Sequence, residues 1–248
     1  MMNKNARSVA PLLAVMFVVP SFAEEKAPDP SDLTETNTSA YVAMSNKGGF
    51  KGSISGDMKF NNGQQGMFTL EAAIDKDGDY TDSRLQYFHV FTTENTVVPK
   101  IAASLDVLDN ALFTSASPGI TLAINSGIKG LNIFPRAGVL AGKYSDDVKK
   151  QANITDDSAV GGSAALYVFY TAGNDGTYFG LYPEYNYLSG DVDMSVLNTN
   201  FLMSTPFNSD RTRWGQIKIT NTNTTIKNSL IDEKINDTVV WANYKFYF

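Results

Sequence analysis

The chain holds one histidine and no cysteine among its 248 residues, which limits the chemistry it can do. A serine or threonine nucleophile needs an adjacent base, and His89 is the only imidazole that could serve. It stands in Leu85-Gln-Tyr-Phe-His-Val-Phe91, a strand-like run, where packing or a lumen position is the simpler role than general-base catalysis. No catalytic residue is assigned. Without thiols, disulfides and thiolate metal sites are excluded. The acidic run Asp75, Asp77, Asp79 and Asp82 suggests a calcium loop, which requires glycine at position six and glutamate at twelve. Counted from Asp75, those positions hold Tyr80 and Gln86, so the run reads as a solvated hairpin loop, with a cation site bridging phosphate groups as the alternative, and no metal ligand is assigned. The Asn-x-Ser/Thr patterns at Asn37, Asn153, Asn223 and Asn236 follow from Asn- and Thr-rich connections. Glycine-rich phosphate loops are absent, and no cofactor is expected.

What remains is binding chemistry on polar strand faces. Asp57, Lys59, Glu71, Lys100, Asp106, Arg136, Glu184, Asn186, Gln216, Lys218, Asn243 and Lys245 all fall on the polar parity of alternating segments. Assigned to a common interior, they mix both signs. They can pair and fill that interior, or line opposing walls of a narrow aqueous pore. Phe134, Tyr167, Phe169, Tyr182 and Trp214 share the same parity and would narrow such a pore.

The elements that must position these residues are strands. Residues 67–74 place Phe68, Leu70, Ala72 and Ile74 opposite Thr69 and Glu71. Residues 131–143 place Leu131, Ile133, Ala137, Val139 and Ala141 opposite Asn132 and Arg136. Runs of about ten residues suit tilted strands crossing a bilayer. Turn clusters such as Asn61-Asn62-Gly63 and Gly173-Asn174-Asp175-Gly176 separate them. The pattern predicts an all-β fold, a single transmembrane antiparallel up-and-down barrel of about twelve strands over residues 39–248. With both termini on one side, the two longest gaps, 144–162 and 221–236, fall together on the other as loops. Alternation alone does not say which face points inward, and a soluble sandwich or lipocalin-like barrel would invert it.

Residues 1–23 read as a signal peptide. Lys4 and Arg7 precede an apolar run over 9–19, and Ser21-Phe22-Ala23 supplies a small-x-small cleavage pattern. Residues 24–38 are acidic and proline-bearing, predicting an unstructured periplasmic tail, with a partner-binding segment or a plug as the alternative. No later stretch is apolar for long enough to form a transmembrane helix. The formal net charge of −6, with no basic block, argues against a nucleic-acid partner.

The leader, the supply of interfacial Tyr and Phe and the final strand together tip the balance toward an outward apolar face. Phe248, Phe246, Tyr244, Ala242 and Val240 form the apolar parity of that strand, ending on phenylalanine at the carboxyl terminus. It resembles the terminal strand of small bacterial, gammaproteobacterial-type outer-membrane barrels, porin-like in character, and the resemblance covers 39–248. That resemblance implies residence in the bacterial outer membrane, contact with its lipid and lipopolysaccharide, and recognition of Tyr244, Phe246 and Phe248 by the barrel assembly machinery. Lipid-cutting barrel enzymes use a histidine with a serine two residues on; Phe91 occupies that place here, so no enzyme is implied. Twelve-stranded oligosaccharide porins are similar in size, and Tyr182-Pro-Glu-Tyr-Asn-Tyr187 looks like one of their strands, but their strongly basic lumen is absent. The expected function is a passive channel for small hydrophilic solutes. The alternative is a non-conducting structural or surface-interaction barrel acting through 144–162 and 221–236.

Overall fold

The structure, a computed structural model, describes residues 27–248. The expected signal peptide, 1–23, lies outside the described residues. Twelve antiparallel strands close on themselves in sequence order, with β1 (Ser39–Ser45) hydrogen-bonded to β12 (Asp232–Tyr247). Between them run β2 (Phe50–Lys59), β3 (Gln65–Ile74), β4 (Tyr80–Thr92), β5 (Lys100–Asn110), β6 (Phe113–Asn125) and β7 (Leu131–Tyr144). The helix α1 (Asp146–Ala152) follows, then β8 (Ser158–Thr171), β9 (Tyr178–Ser189), β10 (Asp193–Pro206) and β11 (Arg213–Lys227). Closure removes every edge within the wall, so backbone polar groups are paired without water.

The strands divide their side chains cleanly by parity. Outside, Val42, Ile54, Leu70, Val139, Val160 and Leu181 stand at 45–66% exposure, a band that only hydrocarbon would cover favourably. Tyr244 and Phe248 join it at the rim where β1 begins and β12 ends, here the lower rim. Phe207 stacks on Tyr244 there, and Phe246 meets Phe248 edge-to-face. Tyr80, Tyr185 and Tyr187 mark the opposite end of the outer face. Inside lie Ser39, Ala43, Ser53, Glu71, Arg84, Phe134 and Trp214, buried or half-buried. The apolar face therefore points outward, as in a membrane barrel.

Three connections differ from expectation. Residues 221–236 are not a loop: β11 and β12 continue in register to Lys227 and Asp232, leaving only 228–231 as the turn. Above the membrane neither face needs apolar residues, so the hydropathy signal vanishes while the ladder goes on. Side chains take over, with Asn221 donating to Thr238 at 2.9 Å and Asn223 to Asn221 at 2.6 Å. Residues 144–162 also contain structure. Ser145 caps α1 by accepting from Val148 N–H, and Asp146 and Asp147 sit in its first turn. Val148 and Ala152, one turn apart, press into a buried cluster with Phe113, Leu140, Tyr144, Leu188, Val192 and Met194. That cluster lies on inward-facing positions of β6 to β11, so α1 folds over the upper mouth. The acidic run shrinks to a tight turn over 75–79, where the Asp75 carboxylate accepts from the Asp77 and Asp79 N–H groups, both at 2.9 Å.

The expected asymmetry of long upper loops and short lower turns thus reduces to the single connection 145–157. The upper rim is uneven for another reason: β1 to β3 are short, whereas β11 and β12 reach well beyond them.

Residues 27–38 depart most from the unstructured tail expected for 24–38. Asp29-Pro-Ser31 and Asp32-Leu-Thr34 form two successive turns. Asp32 N–H donates to Asp29 O at 3.2 Å, and Glu35 N–H to Asp32 O at 3.1 Å. Each aspartate carboxylate accepts from the hydroxyl and N–H two residues on, Asp29 from Ser31 and Asp32 from Thr34. Capping its own backbone compacts a segment whose composition reads as disorder.

Candidate functional site

The lumen is two chambers in series, of about 320 and 330 Å³. Both are bounded by Glu71, Arg84, Tyr167, Glu184 and Lys218, which marks where they meet. The constriction is built from inward positions of eight strands, β1 to β5, β8, β9 and β11. On β2 and β3, Lys51 reaches Glu71 at 2.9 Å and, one strand further, Asp82 of β4 at 3.2 Å. The Tyr41 hydroxyl of β1 also donates to Glu71. Arg84 forks onto Asp106 of the neighbouring β5, Nε to Oδ1 at 2.9 Å and Nη2 to Oδ2 at 2.5 Å. Its Nη2 also reaches Glu184 at 3.4 Å. Glu184 belongs to β9, nearly opposite β4 in the closed sheet, so this pair crosses the bore. The Tyr167 hydroxyl holds Glu184 at 2.7 Å.

Arg136 is held differently. Its ladder partner β6 carries Pro118, which has no N–H, and the register skips Ser117 and Pro118. The Ser117 carbonyl accepts from Arg136 Nη2 at 3.0 Å, while Ser104 and Ser163 hydroxyls accept from Nε and Nη1 at 3.2 and 2.8 Å. Gly138 makes this cage possible, because a Cβ there would sit 3.0 Å from the Ser117 and Ser163 hydroxyls and 2.7 Å from the Pro118 carbonyl. Below the constriction the wall from β7 to β12 is aromatic: Phe134, Phe169, Tyr178, Trp214 and Tyr247 form one buried cluster. Two lysines lie on that wall, Lys218 with its ammonium 5.6 Å from the Tyr182 ring centre and Lys245 4.9 Å from Tyr247.

Of the residues singled out from sequence, Glu71, Glu184 and Lys218 border both chambers. Lys100, Gln216, Asn243 and Lys245 line the lower one, and Asp106, Arg136 and Asn186 the upper. Asp57 sits nearer the lower mouth, accepting from the Thr38 hydroxyl at 2.5 Å, and Lys59 is exposed at the lower end of β2. The five aromatics expected on the inward parity are there too. Sequence reasoning missed Tyr41, Lys51, Asp82 and Arg84, which form half of the constriction. Their signal was available: Lys51 shares the parity of Ser53 and Asp57, and Arg84 that of Gln86 and Phe88. His89 faces outward among Phe60, Tyr87 and Phe91, its ring nitrogens 3.0 Å from the Tyr87 hydroxyl and 2.8 Å from Gln64 Oε1.

No family model and no curated protein sequence matches the chain. Its fold does match solved structures. The KdgM porin aligns over 86% of this chain and 99% of its own at 12% identity and a TM-score of 0.51. The NanC porin aligns over 85% of this chain and 100% of its own at 10% identity and a TM-score of 0.58. The fold is that of a porin-like outer-membrane barrel. Within it, both chambers can hold water against charged and hydroxyl groups, and side chains such as Arg84 and Glu184 narrow the bore between them. Such a bore can sort solutes by size and charge.

Proposed function

We propose that the barrel is a passive channel for small hydrophilic solutes in the bacterial outer membrane, with its lower rim periplasmic. The observation that carries this reading is the pair of chambers, each lined in part by charged and polar side chains, meeting at a charged constriction. A barrel meant only as a scaffold would gain stability by packing that interior with apolar side chains. Here the interior instead carries hydratable groups in balanced sign: Lys51, Arg84, Arg136 and Lys218 face Glu71, Asp82, Asp106 and Glu184. The low identity to KdgM and NanC leaves the solute open; both are porins, which suits a channel rather than an enzyme. The outer face would meet lipid and lipopolysaccharide, and Tyr244, Phe246 and Phe248 would serve as the signal read by the assembly machinery.

Refolded protein in a planar bilayer tests this. Steady single-channel conductance is expected, and Arg84→Ala should raise it by removing the group that crosses the bore. Reproducible silence from wild type and Arg84→Ala alike would favour the non-conducting barrel. Arg84→Ala should also cost about 1–3 kcal/mol in folding stability, because Asp106 and Glu184 lose a charged partner.

A further inference from the structure

The compact segment 27–38 does not hang below the barrel; it crosses the lower chamber. Ser31 is fully buried, its hydroxyl 2.9 Å from that of Thr171 at the end of β8. The Asn132 amide on β7 donates to the Ser31 carbonyl at 3.1 Å. On β5, Lys100 donates to the Thr34 hydroxyl at 2.9 Å, and Thr38 is anchored on Asp57 of β2. Because β2 and β8 lie opposite one another in the closed sheet, the segment spans the bore. It also carries charge into it. Asp29, Asp32 and Glu35 line the chamber whose wall supplies Lys100, Lys218 and Lys245.

We propose that residues 27–38 are a tethered plug that occupies the lower chamber as an internal anionic ligand, holding the channel at low conductance until it is displaced. The proposal rests on the channel reading above. The contacts named above are of a kind that can be exchanged: they are hydrogen bonds among hydroxyls, an amide, a carbonyl, one ammonium and the Asp57 carboxylate, each of which water or a solute can replace. A ligand on so short a tether acts at an effective concentration on the order of millimolar. A soluble anion must reach that range to compete on equal terms. Loss of the plug removes three carboxylates and leaves the chamber lysines exposed to the pore, so selectivity should move toward anions.

The chain has no cysteine, so Ser31→Cys with Thr171→Cys creates the only possible disulfide, at positions whose hydroxyls already touch. In planar bilayers the oxidised double variant should stay at its lowest conductance, and reduction should restore wild-type openings. A variant lacking residues 27–37 keeps Thr38, whose carbonyl accepts from Phe248 N–H. It should conduct severalfold more than wild type, with its reversal potential in a salt gradient shifted toward anions. If that deletion fails to assemble, the disulfide pair still decides, since barrel folding is read independently from heat-dependent electrophoretic mobility. Equal conductance in oxidised and reduced forms, with the disulfide verified by mass, would overturn the plug while leaving the channel standing. Silence from wild type, reduced variant and deletion together would remove the channel reading and the plug with it.

Discussion

At the upper mouth, α1 packs Val148 and Ala152 onto Leu140, Leu188 and Met194, burying apolar surface against the inner wall. At the lower mouth, residues 27–38 cross the bore on contacts to the Asp57 carboxylate of β2, the Lys100 ammonium of β5, the Asn132 amide of β7 and the Thr171 hydroxyl of β8. Both obstruct, yet they answer to different forces. Apolar packing has no substitute partner in water, so releasing α1 exposes surface at about 25 cal/mol per Å². A hydrogen bond exchanged for one to water costs little net free energy. One end of the bore therefore carries part of the protein's core, and the other carries a movable piece of chain.

The largest expected effect separates closing the wall from closing the bore. Deleting Phe248 removes an exposed, lipid-facing ring together with the N–H that donates to the Thr38 carbonyl. Outer-membrane levels of the barrel should fall severalfold by fractionation and immunoblot; normal levels would undo the assembly signal proposed for it. Next comes the upper cap itself. Leu188→Ala, at a position 1% exposed, should cost about 2–5 kcal/mol in urea unfolding of the refolded protein. Ser31→Ala at the lower mouth should cost only about 1 kcal/mol, although it too is fully buried. If the two substitutions cost the same, the contrast between a packed end and a movable end is lost.

The smallest effect is a dependence on pH confined to the lower turns. In solvent, Asp175 and Asp210 are held below the usual carboxylate range, chiefly by N–H groups of Thr177 and Thr212 donating to them. Their folded values lie below their unfolded ones, so the contribution is complete above the ordinary carboxylate range. It is lost as pH falls through the lowered values. Between about pH 6 and about pH 3 the unfolding midpoint should drop slightly, and Asp175→Asn with Asp210→Asn should flatten that part of the drop. A full-sized pH response in the double variant would assign it elsewhere.

Legibility in the sequence tracked the environment of each segment. Strands such as β3 and β7 were readable because lipid on one side and water on the other impose alternation residue by residue. The upper parts of β11 and β12 were not. Water surrounds both of their faces, and Asn221, Asn223 and Asn236 look like loop residues until the register pairs them. The helix α1 left a short local trace, Ser145 before Asp146 and Asp147 with Val148 and Ala152 four apart, easily lost in a charged stretch. The acidic turn at 75–79 and the segment 27–38 share a device, aspartates capping their own backbone. Composition scores that device as disorder.

By itself the sequence determined the barrel: twelve alternating runs, polar parity inward, and an aromatic final strand, all set by a period of two against a two-sided environment. It also determined which charges point into the bore. Tertiary structure decided how they are spent. Arg84 meets Glu184 only because closure brings β4 and β9 to nearly opposite walls, 100 residues apart in the chain. Ser31 finds Thr171 only because the segment before β1 folds back into the cavity that its own strands enclose. Periodicity records which face a residue is on; distance across a closed sheet depends on strand order, register and closure, which no local pattern encodes.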